Sequence, residues 1–133
     1  IMNKISGIKV QYTDKRRQND EIDLIAINQS NELINAGLSG PIFIECKNIS
    51  EAIGSEVVKK LAGSVPPSGI GIVVTTNKLS SDAEREMRTQ ISLNSARNLR
   101  MAFLDRTDLE QIAEGEKQPT DSIIERYYYV LAL

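Results

Sequence analysis

Glu21 to Asn28 reads EIDLIAIN, and Pro41 to Lys47 reads PIFIECK. Each is a short run dominated by isoleucine and bounded by polar or turn-forming residues, the signature of a strand packed into a sheet. Pro41 falls on the first strand position, where a missing N–H is tolerated. Three charges stand where strand packing would not place them. Asp23 interrupts the first run, and Glu45 and Lys47 interrupt the second. Side chains two apart on a strand share a face, so Glu45 and Lys47 point together while Ile44 and Cys46 point away.

Outward from these runs, Ile5 to Tyr12 (ISGIKVQY) alternates from Gly7 onward, with Ile8, Val10 and Tyr12 on one face. It is expected to form a hairpin with the EIDLIAIN strand across the polar segment from Thr13 to Asp20. Gln29 to Gly40 reads as a polar loop with one helical turn around Leu33 to Leu38. Beyond Lys47 the period changes. Ser50 is placed to cap a helix through Ala62, with Ile53, Val57 and Leu61 at four-residue spacing. Gly69 to Thr75 (GIGIVVT) reads as a strand buried on both faces. Ser81 with Glu84 predicts a capping box opening a helix with Ala83, Met87 and Ile91 on its buried stripe. Arg100 to Leu104 is a strand. Thr107 with Glu110 predicts a second box on a short helix that Gly115 closes. A last helix starts at Thr120 or Asp121 and carries Ile123, Ile124 and the tyrosines. Meandering strands followed by strand–helix–strand crossovers predict one three-layer α/β domain, a mixed central sheet flanked by helices.

Composition bounds the chemistry. A chain of 133 residues, 41% hydrophobic and 26% charged, is expected to be one globular domain. It contains no histidine and a single cysteine, Cys46. That removes Ser-His-Asp triads, histidine zinc sites, imidazole acid–base catalysis and disulfide frameworks together. Catalysis is left to carboxylates, lysines, hydroxyls or a metal held by oxygen. The net charge of −2 announces no polyanion partner, so any such partner needs a local basic patch. No apolar run approaches a membrane span and no signal-peptide core opens the chain, which points to the cytoplasm. A start at Ile1 before Met2 predicts a module excised from a longer chain.

Burying an unpaired charge costs several kcal/mol, so charges on neighbouring strands need compensation. A divalent cation supplies it for the two carboxylates. Oxygen-only ligands suit Mg²⁺, with Mn²⁺ as a substitute. Lys47 beside such a site could hold or deprotonate the water that attacks a phosphodiester. The alternative is an edge-strand charge cluster facing water.

Asp23 followed by Glu45-Cys46-Lys47 after an apolar strand resembles the PD-(D/E)xK signature of the restriction-endonuclease-like superfamily, and its details resemble the Mrr-type catalytic domain. EIDLIAIN is similar to that branch's E-x-D strand and PIFIECKN to its apolar-E-C/A-K strand. GIGIVVTTNKLSSDA is similar to its following strand, Thr pair and Ser-x-x-Ala helix start. The likeness runs from about residue 7 to 112. It implies the three-layer restriction-endonuclease-like fold. It implies Asp23 and Glu45 as metal ligands with the backbone carbonyl of Cys46, Lys47 as the catalytic lysine, and Mg²⁺-dependent cleavage of DNA. Related domains usually open with a helix that contributes another acid, whereas here no acidic residue precedes Asp14. Either that helix lies upstream, or the site is incomplete and the role of a second metal is open.

Lys15, Arg16 and Arg17 fall at the expected hairpin tip, either as a solvated turn or as sequence-independent phosphate contacts. Asn48 could hydrogen-bond a phosphate or start a turn. Thr75, Thr76 and Lys78 follow a strand end, where α/β sheets often bind ligands. Cys46 reads as a buried small hydrophobe, and Tyr127 to Tyr129 as packing or a subunit contact. The leading function is a DNA endonuclease module of a restriction or DNA-processing protein, acting as a homodimer or fused to further domains. The alternative is a catalytically inactive nuclease-like module that binds DNA or a partner protein.

Overall fold

The structure, a computed structural model, describes residues 24–133 in full and the backbone of residues 8–13. Five strands, β1 (Ile8–Thr13), β2 (Leu24–Asn28), β3 (Ile42–Lys47), β4 (Ile70–Thr75) and β5 (Arg100–Leu104), form one sheet in the order of the sequence. β1–β2 and β2–β3 pair antiparallel, and β3–β4 and β4–β5 pair parallel. A parallel neighbour requires a crossover, here through α2 (Ser55–Ser64) and then α3 (Ser81–Leu93). Two successive right-handed crossovers stepping the same way across a sheet lay their helices on the same face. The opposite face is left to α1 (Asn31–Asn35), α4 (Arg106–Ala113) and α5 (Pro119–Leu131).

Strand alternation divides the core accordingly. Phe43, Val73, Met101 and Phe103 pack on Val58, Leu61, Ala83 and Met87 from α2 and α3. Ile42, Ile44, Ile70, Ile72, Ala102 and Leu104 pack with Leu33, Leu38 and Ile123 on the other side. α5 places Ile123 in one layer and Val130 in the other. The arrangement is the expected three-layer α/β sandwich. Among the described residues no helix is long and apolar enough to cross a membrane.

Several element limits differ from expectation, each for a local reason. α2 starts at Ser55 rather than after Ser50, because Ile53 is engaged in a bridge with Leu79. Ile53 N–H donates to Lys78 O at 2.8 Å, and Ser80 N–H donates to Ile53 O at 2.9 Å. The buried stripe of α2 is therefore Val58, Leu61 and Ala62, and Val57 is only half-buried. α3 is capped by Ser80, whose hydroxyl accepts from Ala83 N–H at 3.0 Å. The capping box of α4 is Asp105 with Asp108, not Thr107 with Glu110, since β5 ends at Leu104 and leaves Asp105 to turn the chain. α5 starts at Pro119, a residue suited to the first helical turn. In β2 only Ala26 is fully buried, so this strand is half-covered rather than deep.

The amino ends of β3, β4 and β5 are tied together by Arg100, 5% exposed. Its guanidinium donates to the carbonyls of Gly37, Ser39, Ser68 and Asn98 at 2.6–3.0 Å. Burial pulls its pKa down. Gly40 lies here at φ +116, and a Cβ there would stand 2.3 Å from Ser68 O. The unusual charges of β3 lie at the opposite, carboxyl end of the strands.

Candidate active site

β3 carries Ile44 and Cys46 toward one face and Phe43, Glu45 and Lys47 toward the face covered by α2, as alternation requires. Glu45 is 4% exposed. Lys47 Nζ stands 3.3 Å from Glu45 Oε2, with the lysine side chain 32% exposed. β4 supports the pair from the parallel side, with Val73 in register with Glu45 and Thr75 with Lys47. The result is a carboxylate held in the sheet and an ammonium that reaches from it to solvent.

α2 closes the site from above. Glu56, Val57 and Lys60 join Glu45 and Lys47 around a cavity of about 90 Å³. Sequence reading did not single out Glu56 or Lys60. Exposed charges on an amphipathic helix all look alike until the helix is docked, and their four-residue spacing was the only signal.

At the strand ends, Thr76 N–H donates to Lys47 O at 3.2 Å and Thr76 Oγ1 donates to Asn48 Oδ1 at 2.8 Å. Thr75, buried, accepts from Asn77 N–H at 3.1 Å. Asn48 is exposed and tied to the β4 turn rather than starting one of its own. Cys46 is exposed, not buried as expected. It is on the Ile44 face, but the burial of β3 runs out at its carboxyl end. Asp23, Lys15, Arg16 and Arg17 lie outside the described residues. Among the described residues no group of three or more His, Cys, Asp or Glu could hold a metal ion.

Larger surface cavities elsewhere are lined by groups already engaged with one another. One of about 280 Å³ contains Lys117 and Glu125, which pair. Another of about 300 Å³ contains Arg126, which donates to Asp108 at 2.8 Å and to Asp105 at 3.2 Å. The same guanidinium lies 4.7 Å from the Phe103 ring centre, and Tyr129 meets Phe103 edge-on, so this cluster is packing. Of the tyrosine run, Tyr127 is half-buried against the core, whereas Tyr128 and Tyr129 are exposed.

No curated protein matches the chain. Among solved structures, MspJI restriction endonuclease in complex with a 27-mer oligonucleotide is similar, at TM-score 0.52 and 16% identity over 92% of this chain. The chain spans 24% of that protein's length, and a likeness at this identity is one of fold. A restriction endonuclease family model, that of the Mrr catalytic domain, matches residues 2–112. With most of its length matched, including both isoleucine-rich strands and the helix above the Glu45–Lys47 pair, the chain belongs to the Mrr-type restriction endonuclease family.

Proposed function

We propose that the chain is a Mg²⁺-dependent endonuclease domain that hydrolyses DNA phosphodiester bonds, one module of a restriction or DNA-processing protein. The observation that carries the reading is the buried Glu45 carboxylate 3.3 Å from Lys47 beneath α2, in a chain of this family. Asp23 would complete the ligand set. Leu24 pairs with Ile44 across the antiparallel β2–β3 ladder. In the sequence Asp23 directly precedes Leu24, and Glu45 directly follows Ile44.

The donors fit a hard divalent ion. Carboxylates and the carbonyl of Cys46 offer oxygen alone, which suits Mg²⁺ or Mn²⁺. Such an ion supplies Lewis-acid stabilisation of the charge that builds on the scissile phosphate. Glu45 and Asp23 would hold it. Lys47, one side-chain period from Glu45, would orient the attacking water and offset negative charge in the transition state. Asn48 at the open edge would donate its amide N–H to a flanking phosphate. Lys15, Arg16 and Arg17 would add affinity without sequence preference.

Incubating the full chain with supercoiled plasmid and Mg²⁺ tests this reading. Nicked or linear product that EDTA abolishes, and that Lys47→Ala and Glu45→Gln lose, is the expected result. A chain that binds DNA yet never cuts it with Mg²⁺ or Mn²⁺ would replace this reading with a binding module.

A further inference from the structure

We infer that Lys60 is a phosphate-positioning residue, reaching from α2 to the DNA backbone at the same cavity that holds Glu45 and Lys47. The inference rests on the endonuclease reading above. Lys60 stands three residues after Val57 and four after Glu56, so the three share one side of α2, and that side closes the cavity. The cavity's charges are not equally available. Glu45 is paired with Lys47 at 3.3 Å, and Glu56 with Lys59 at 3.7 Å. Among the described residues, Lys60 is the ammonium of this lining with no carboxylate within ion-pair reach. Lys59, next in sequence, is turned about 100° around the helix and does not line the cavity.

Size selects the ligand group. About 90 Å³ is the room of roughly three waters at about 30 Å³ each. A pocket enclosing a base-sized ligand needs about 300 Å³ or more. The cavity has room for phosphate oxygens and their waters. A long, flexible ammonium suits that task, contributing affinity without reading sequence.

The test measures binding of the full chain to an unrelated 20-base-pair duplex across a salt series, with Ca²⁺ as the divalent ion. Lys60→Ala, Lys60→Arg and Lys59→Ala are compared with the unaltered chain. Losing one phosphate contact should shallow the log–log salt slope by about 0.9 and weaken low-salt binding about tenfold. Lys60→Arg should keep the slope, as should Lys59→Ala. In Mg²⁺ cleavage, Lys60→Ala should raise KM with kcat changed less than about threefold. Alanine favours an exposed helical position, and Lys60→Gln serves as a second neutral variant with unfolding followed by circular dichroism. If the unaltered chain binds and cuts DNA while Lys60→Ala and Lys60→Gln leave slope and KM unchanged, this inference fails and the endonuclease reading stands. Equal losses from Lys59→Ala and Lys60→Ala would mean general attraction to the helix, and would also overturn it. An unaltered chain that does not bind DNA overturns both readings.

Discussion

Lys47→Ala separates the catalytic role of the lysine from its structural one. At 3.3 Å, two unit charges attract by about 5 kcal/mol at an effective dielectric of about 20. Most of that is offset by desolvation and by ordering a long side chain. Because the ammonium is 32% exposed, the net contribution to folding is expected near about 1 kcal/mol or less. Cleavage should respond much more strongly. A positioned donor acting on transition-state charge is worth ~10²–10³ in rate, about 2.7–4 kcal/mol. Metal affinity should move in the opposite sense or not at all, since the substitution removes a positive charge beside Glu45. Single-turnover plasmid cleavage, urea unfolding and Mn²⁺ titration calorimetry read the three quantities on one preparation. Cleavage equal to that of the unaltered chain would refute the mechanism. A fall in Mn²⁺ affinity matching the fall in rate would assign Lys47 to holding the ion instead.

Glu45→Gln and Asp23→Ala should each raise the Mg²⁺ concentration for half-maximal cleavage by at least about tenfold, because each removes a ligand; a metal titration with unchanged midpoint argues against ligation. Replacing Lys15, Arg16 and Arg17 together by Ala should shallow the salt slope of DNA binding by up to about 2.7, and an unchanged slope returns them to a solvated turn. Arg100→Met should lower stability by at least about 3 kcal/mol in urea, since four carbonyls lose their charged donor. Arg126→Met exposes a pH dependence. Burial pushes the Asp108 carboxyl up while the Arg126 hydrogen bond pulls it down. Without Arg126 the folded state should hold that proton still more tightly than the unfolded state. Stability should therefore fall as pH rises from the ordinary carboxylate range toward neutrality, more steeply than in the unaltered chain, and a parallel pair of urea-midpoint profiles would contradict this.

The architecture was legible because it rests on period and connection length. The β3 and β4 runs are short, rich in β-branched residues and bounded by turn formers, which favours strands, and the helical stretches between them supply the crossovers. What failed were boundaries set by competition between neighbours. Ser50 looks like a helix cap, yet Ile53, three residues on, bridges Leu79 instead of entering the helix. Thr107 with Glu110 fits the capping pattern as well as Asp105 with Asp108 does. Only the point where β5 releases the chain decides between them. Such choices depend on long-range contacts, which local pattern does not encode.

The site divides along the same line. Glu45 and Lys47 were visible because a strand forces residues two apart onto one face, and charges in an apolar run conflict with that burial. Cys46 departs from its pattern for a related reason. Alternation gives its face correctly but not where along β3 the covering helices stop. Glu56 and Lys60 break no rule of an exposed helix face, so nothing in their own segment marks them. They become part of the site only when α2 lies across the carboxyl end of β3, a consequence of the crossover to β4. A charge that contradicts its local environment can thus be found from sequence, whereas one that agrees with it acquires a role only through docking. The Lys59→Ala and Lys60→Ala comparison probes that distinction directly: two adjacent exposed lysines of one helix should differ in salt slope by one phosphate contact.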